Sequence, residues 1–324
     1  KGGNRLEIYS NNDKTVNKYV HNDGSETTIK TTSSCANFYN TITNKIEPVS
    51  IDRNKYSVFV SSSVGCPVGC KFCYLTVKKF PYQRLSCDEI IQNVKEAISK
   101  EVEANPEIRK KYIKLSFMGM GDAFFLHPIE FRKMVEKILK WAIGDHNYAI
   151  GIDGVDISTV LPKNTSNGWP HQLGLLNDYL QERYKNNNLV TERSIIRLFY
   201  SLHHPVLRHV LIPMANKHII NDLLFFNEIK KWYGIDVILH HMFLNGVNDS
   251  ENDMQVIKTF MKESGLSDAE LRILRYNECE NSPYKESKQF DELVKLYAEN
   301  FENVKYQIST GSEIKAACGQ FIMK

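Results

Sequence analysis

From about Tyr56 onward, apolar strand-like runs alternate with helical patterns, and that alternation leaves the chain few folds. The runs "YSVFVSS", "YIKLSFM", "YAIGIDGVDIST", "SIIRLFYSL", "DVILHHMFL", "ELRILRYN" and "VKYQIS" read as strands. Between them, "CDEIIQNVKEAISK", "PIEFRKMVEKILKWAI", "IINDLLFFNEIKKWYG", "SENDMQVIKTFMKESG" and "KESKQFDELVKLYAEN" have helical spacing. Continuous apolar strands belong to parallel sheets buried on both faces. About six β/α units in succession predict an α/β fold, here a partial (β/α)6 barrel. Ser86 followed by Glu89 predicts a capping box at the start of the first long helix. Residues 1–50 are different: polar, rich in Asn, Thr and Ser, with a DG turn in "KYVHNDGSETTIK" that predicts a small hairpin. The expected organisation is a β extension over 1–50 and a barrel over 51–324. "LPKNTSNGWPHQLG" (161–174) and the Asn run at 186–188 read as loops.

The composition is that of a globular protein, and a net charge of +3 does not by itself mark a nucleic-acid binder. No apolar run reaches the length of a membrane span, and no signal peptide is visible. The seven cysteines are an odd set with three clustered, which argues against a secreted disulfide framework. The expected location is the cytoplasm, and the expected state a monomer.

The cluster lies in "SSSVGCPVGCKFCYLTVKKF", where Cys66, Cys70 and Cys73 have CxxxCxxC spacing between the first barrel strand and the first helix. Loops at that end of barrel strands carry ligand sites. Three thiolates on a short loop can hold three irons of a 4Fe–4S cube and leave the fourth iron open. A structural zinc site favours CxxC pairs and a fourth ligand. Gly65, Pro67 and Gly69 shape the loop, and Phe72 is placed to cover the cluster. In "SFMGMGDAFF", Gly119 and Gly121 let a ligand approach the backbone, and Asp122 can accept hydrogen bonds from an ammonium group. Ser158, Ser201, His203 and Asn277 fall at the ends of later strands, which places them at one shared edge.

The cysteine loop resembles that of the radical S-adenosylmethionine (SAM) superfamily. The ordered set "SSSVGCPVGCKFC", "FMGMGD", "YSLHHP", "NGVNDS", "RYNECENSPY" and "GSEIKAACGQF" is similar to the RlmN/Cfr family of adenine methyltransferases acting on large-subunit ribosomal RNA. The resemblance runs from about Glu47 to Gln320. It implies a 4Fe–4S cluster on Cys66, Cys70 and Cys73 whose open iron binds SAM, and an electron donor such as flavodoxin or ferredoxin. It implies that Cys318 takes a methyl from one SAM, and that a second SAM yields the 5′-deoxyadenosyl radical that activates that methyl for addition to an adenine carbon. It further implies a SAM pocket of Gly121, Asp122, Ser158, Ser201, Leu202, His203 and Asn277, with Glu47 as acid–base residue.

Three departures from the family pattern stand out. Phe59 occupies the place of the family's resolving cysteine, and phenylalanine cannot exchange a hydrogen in that step. Cys35, Cys87 or Cys279 are the thiols left to substitute. Asp122 stands where the family has glutamate, and about 50 residues with a hairpin pattern replace its helical N-terminal domain. The alternative expectation is therefore a divergent radical SAM enzyme acting on a peptide or small molecule. A third is a cluster-bearing sensor without turnover. Lys71, Lys78, Lys79, Arg84 and "IRKKYIK" are candidate phosphate contacts, weighed against an ordinary solvated basic surface.

Overall fold

Seven parallel strands carry the described chain, the seven runs that read as strands in the sequence. They are β6 (Lys55–Val60), β9 (Tyr112–Phe117), β10 (Gly151–Thr159), β11 (Ile196–Ser201), β12 (Asp236–Met242), β13 (Glu270–Leu274) and β14 (Val304–Gln307), hydrogen-bonded in that order. The structure is a computed structural model that describes residues 6–31, 36–40, 43, 45–48, 54–184, 194–216, 218–307 and 314–316. Antiparallel strands extend both edges. β1 (Glu7–Ser10), β2 (Val16–Val20) and β3 (Glu26–Lys30) lie beside β6, while β4 (Ala36–Asn40) and β5 (Lys45–Pro48) lie beside β14. The order is linear, so this is an open barrel. A separate two-stranded ribbon, β7 (Ser63–Val64) with β8 (Gln83–Arg84), flanks the cysteine loop.

The predicted hairpin is β2–β3, turning at Asp23 and Gly24, with Asp23 accepting the Ser25 N–H at 2.7 Å. It does not stand apart from the barrel. Tyr19 and Ile29 belong to the main core, and the Tyr19 hydroxyl donates to Glu101 of the first long helix at 2.7 Å.

The helices are α1 (Tyr74–Val77), α2 (Cys87–Ala104), α3 (Pro128–Leu139), α4 (Trp169–Tyr184), α5 (Arg208–Leu211), α6 (Ile219–Tyr233), α7 (Glu251–Glu263) and α8 (Phe290–Asn300). α2 starts with the predicted capping box, Ser86 and Glu89 bonding each other's backbone N–H groups. Its apolar face, Ile90, Val94, Ala97 and Ile98, packs in one core with Tyr56, Val58 and Val60 of β6 and Ile113 and Leu115 of β9. Side chains alternate along a strand, so the residues between these face the inside of the barrel. Beside Phe59 and Phe199 that face carries charge: Lys114 and Arg197 clamp Asp156 at 3.1 and 2.5 Å, while Lys305 pairs with Glu270 at 2.7 Å. These cations hold both carboxyls below the usual carboxylate range, against the burial that would raise them.

The loop expected at 161–174 ends earlier, because α4 begins at Trp169. Pro170 sits in its first turn, where a missing N–H costs no hydrogen bond. Leu173, Leu176 and Leu180 then bury one face, and the Trp169 ring stacks on Phe124 at 4.1 Å. The Asn run at 186–188 lies outside the described residues.

A candidate SAM and iron–sulfur site at the strand ends

Cys66, Cys70 and Cys73 lie on the loop between β7 and α1, at the C-terminal end of the parallel strands. Gly65 turns this loop with φ +63, and a Cβ there would sit 2.3 Å from the Pro81 carbonyl oxygen. The Cys73 N–H donates to the Cys70 carbonyl at 3.0 Å, and Lys71 N–H ties the loop to the Leu211 carbonyl at 2.9 Å. Burial pushes the Cys66 thiol up to about 12, against the N–H groups of Val68 and Gly121 that lower it, and lifts Cys70 well above its ordinary value. As free thiols they are protonated at neutral pH, so iron loading releases protons.

The three cysteines open onto a solvent-connected cavity. Its lining brings together Gly121, Asp122, Ser158, Ser201, His203 and Asn277 from the strand ends, with Phe72 beside the cysteines. Leu202 of the predicted pocket is not among the lining residues: its side chain is in the core, and its N–H donates to the His240 carbonyl at 2.9 Å. His203 has φ +52, in the left-handed region that favours glycine. Two bonds hold it there: its N–H to the His240 carbonyl at 3.1 Å and the Asn248 amide to its own carbonyl at 3.0 Å. Its ring meets Phe72 edge-on at 4.9 Å.

The reason for Gly121 differs from the sequence reading. With φ +91, its Cβ would lie 2.3 Å from Ser63 Oγ and 2.5 Å from Ser62 Oγ, so the glycine is fixed by close packing on the serine run as well as by the cavity. The same run is zipped to the turn by Ser62 N–H to the Met120 carbonyl, 2.8 Å, and Met120 N–H to Ser61 Oγ, 3.0 Å.

Asp122 is buried and already occupied. Its carboxylate accepts the N–H groups of Phe124 (2.9 Å) and Val160 (2.8 Å) and the Thr159 hydroxyl (2.9 Å). A carboxylate has about four acceptor sites, so room for one further donor remains. Burial raises its pKa to about 6, while its donors and Arg208 pull the other way. A raised carboxyl pKa means that the native state binds the extra proton between the unfolded and folded values. In the iron-free protein, Asp122 stabilisation is therefore fully present below about pH 4 and is lost as pH rises through about 6, by roughly 3 kcal/mol at about 1.4 kcal/mol per unit. The difference in urea unfolding free energy between wild type and Asp122→Asn, measured across this window, is expected to show that slope; a difference independent of pH contradicts it.

Arg208 and His240 were not singled out from the sequence. Arg208, only 1% exposed, donates to the carbonyls of Ser201, Val160 and Leu202 and lies 4.5 Å over the Tyr200 ring. It fastens the ends of β10 and β11 together beneath the cavity. Their signal was a charged or polar residue inside an otherwise apolar stretch.

Glu47 stands on β5 near the sheet edge, accepts from the Thr43 hydroxyl at 2.7 Å, and is not among the cavity-lining residues. Phe59 sits inside the barrel on β6 with the Lys30 ammonium 5.0 Å from its ring centre. Cys87 lines a separate groove with Glu130 and Lys137, and Cys279 is buried in the loop after β13. Cys35 and Cys318 lie outside the described residues. Lys315, three positions before Cys318, is described: its carbonyl accepts from the buried Lys18 of β2, which also pairs with Glu26 at 3.0 Å. Of the basic candidates, Lys71, Lys79 and Arg84 are exposed, Lys78 pairs with Glu280 at 3.1 Å, and Lys110, Lys111 and Lys114 bond to neighbouring groups of the protein.

The donor set fits an iron–sulfur cube better than a single ion. Among the described residues, no three His, Cys, Asp or Glu side chains are grouped to hold one metal ion. A cube places each thiolate on its own iron, so its ligands need not crowd one centre. The buried, unpartnered Nδ1 of His203 and the room left on Asp122 give the adjoining cavity polar groups for a ligand. A three-cysteine loop at the strand ends of an open parallel barrel is the arrangement that the radical SAM resemblance implies.

No family model matches the chain. A protein of Prochlorococcus marinus (strain NATL2A) named "Probable dual-specificity RNA methyltransferase RlmN" is 29% identical over 85% of this chain and 69% of its own length. A Clostridium botulinum (strain Hall) protein of the same name is 26% identical over 82% and 68%. A solved structure, a radical SAM methyltransferase from Sphaerobacter thermophilus, shares the fold with a TM-score of 0.65 at 20% identity, over 97% of this chain and 80% of that one. The chain is thus similar in sequence to proteins named RlmN and similar in fold to a radical SAM methyltransferase.

Proposed function

We propose that this enzyme methylates an adenine carbon of RNA and that Cys318 carries the methyl group. The observation behind the reading is the convergence of Cys66, Cys70 and Cys73 with the strand-end polar residues on one cavity, in a chain similar to proteins named RNA methyltransferases. When bound, the cluster supplies the electron that cleaves SAM. Cys66, Cys70 and Cys73 would hold it. Asp122 uses its remaining acceptor site for the SAM ammonium, and Ser158, Ser201 and Asn277 offer hydrogen bonds to its polar groups. Val68, Leu75 and Met242 give the cavity apolar walls.

In the transfer step the Cys318 thiolate attacks the sulfonium methyl. The new S–C bond forms as the old one breaks, and the electron pair leaves on the departing sulfur. Glu47 is kept as the acid–base residue that the resemblance implies; it stands on β5 and is not among the residues lining the cavity. Phe59 cannot act as a resolving thiol, so release of the methylated base uses a different group. The enzyme works in the cytoplasm as a monomer reduced by flavodoxin or ferredoxin, with residues 1–50 as a β extension. Among the described residues, no helix is long and apolar enough to cross a membrane.

The test is anaerobic incubation of reduced protein with trideuteromethyl SAM and ribosomal RNA, followed by mass spectrometry of the nucleosides. Labelled methyladenosine is expected, and Cys318→Ala is expected to abolish it. Formation of 5′-deoxyadenosine without RNA and without any methylated adenine contradicts the reading and favours a peptide or small-molecule substrate.

A further inference from the structure

Two imidazole nitrogens beside the cavity have no hydrogen-bond partner, His203 Nδ1 and His240 Nε2. Both residues line the cavity, at 3% and 5% exposure. His203 already belongs to the SAM pocket described above. His240 is used by no step so far, and a buried nitrogen without a partner calls for one.

His240 projects from the inner face of β12, opposite Ser201 on one neighbouring strand and Arg272 on the other. It therefore forms the boundary between the cavity and the charged layer inside the barrel. On that inner side the Phe199 ring lies 5.0 Å away, and the Arg272 guanidinium covers Phe199 at 5.1 Å. Arg272 is satisfied by Glu270, at 2.6 Å, and Glu270 in turn by Lys305, at 2.7 Å. This layer of charge is internally paired, so a charged ligand would gain little there. Burial, aided by Arg272, holds the imidazole far below its ordinary pKa, at about 3, and keeps it neutral. A neutral imidazole has one N–H donor and one bare nitrogen acceptor. The two nitrogens diverge across the ring, so the unpartnered Nε2 is the one that meets a ligand, and as a bare nitrogen it accepts a single N–H, such as that of an amino group on an uncharged planar heterocycle.

We propose that His240 contacts the substrate and sets its specificity by hydrogen-bonding the amino-bearing edge of the adenine at the inner end of the cavity. The assignment rests on the RNA adenine reading above and adds the residue that recognises the base.

The probes are a ribosomal RNA hairpin that the wild type methylates and the same hairpin with purine riboside, which lacks the amino group, at the methylated position. Binding to iron-loaded protein is followed by fluorescence anisotropy. Wild type is expected to prefer the adenosine hairpin about tenfold, the worth of one well-placed hydrogen bond. His240→Phe is expected to bind both hairpins equally, while keeping its iron content and SAM affinity. His240→Gln, which still offers a donor and an acceptor, is expected to restore part of the preference. A folded His240→Phe that keeps the tenfold preference overturns the proposal, as does a wild type that binds both hairpins alike, whatever the variants do. If RNA adenine is methylated in either case, the functional reading survives and the His240 assignment alone falls. A wild type that methylates no RNA removes both.

Discussion

Cys70→Ala is expected to lower bound iron to near zero and to stop 5′-deoxyadenosine formation from SAM. Cys70 sits in the middle of the loop, with its carbonyl bonded to the Cys73 N–H, and its thiol is kept protonated by burial until a metal displaces the proton. Removing one of three thiolates leaves two, too few to hold a cube with a single open corner. Iron analysis and the visible absorbance of reconstituted protein read the first effect, and chromatography of the SAM products reads the second. Cys87→Ala is the control, because Cys87 lines the groove between α2 and α3 and not the cavity. Retention of iron and SAM cleavage by Cys70→Ala, or their loss in Cys87→Ala, would contradict the assignment of the ligands.

Arg208→Met is expected to destabilise the protein by about 4 kcal/mol and to weaken SAM binding along with it. Methionine keeps much of the length of the side chain but none of the donors. The carbonyls of Ser201, Val160 and Leu202 then lose a charge-assisted partner in a buried place. Those carbonyls belong to the strand ends that present Ser158 and Ser201 to the cavity. The loss is therefore expected both in urea unfolding of the iron-free protein and in SAM affinity of the loaded one. A loss below about 1 kcal/mol would mean that Arg208 is not the fastening it is taken to be.

The barrel was legible because its strands and helices differ in local period, and because polar residues at strand ends recur at one edge. Ser158, Ser201, His203 and Asn277 were placed together on that argument, and all four line the cavity. The arrangement of the first 50 residues was less legible. The β2–β3 turn is local, but pairing of β3 with β6 and of β4 with β14 joins segments whose sequences carry no mark of each other. α4 was missed because Gly, Pro and Asn before and within its first turns outweighed the leucine spacing. Arg208 and His240 escaped for a related reason. In "DVILHHMFL" the apolar run points to a buried strand, and which of two adjacent histidines faces inward depends on register. Gly119 and Gly121 were read as openings for a ligand, whereas a Cβ on either would first strike the serine run at 61–63.

The most direct test of the account is peptide mass spectrometry on Cys318 from protein expressed and purified with its cluster intact. The account predicts a gain of one CH2 unit on that cysteine, absent from the Cys70→Ala protein and impossible in Cys318→Ala. A Cys318 that stays unmodified, even after anaerobic incubation of the reduced protein with SAM, would contradict it.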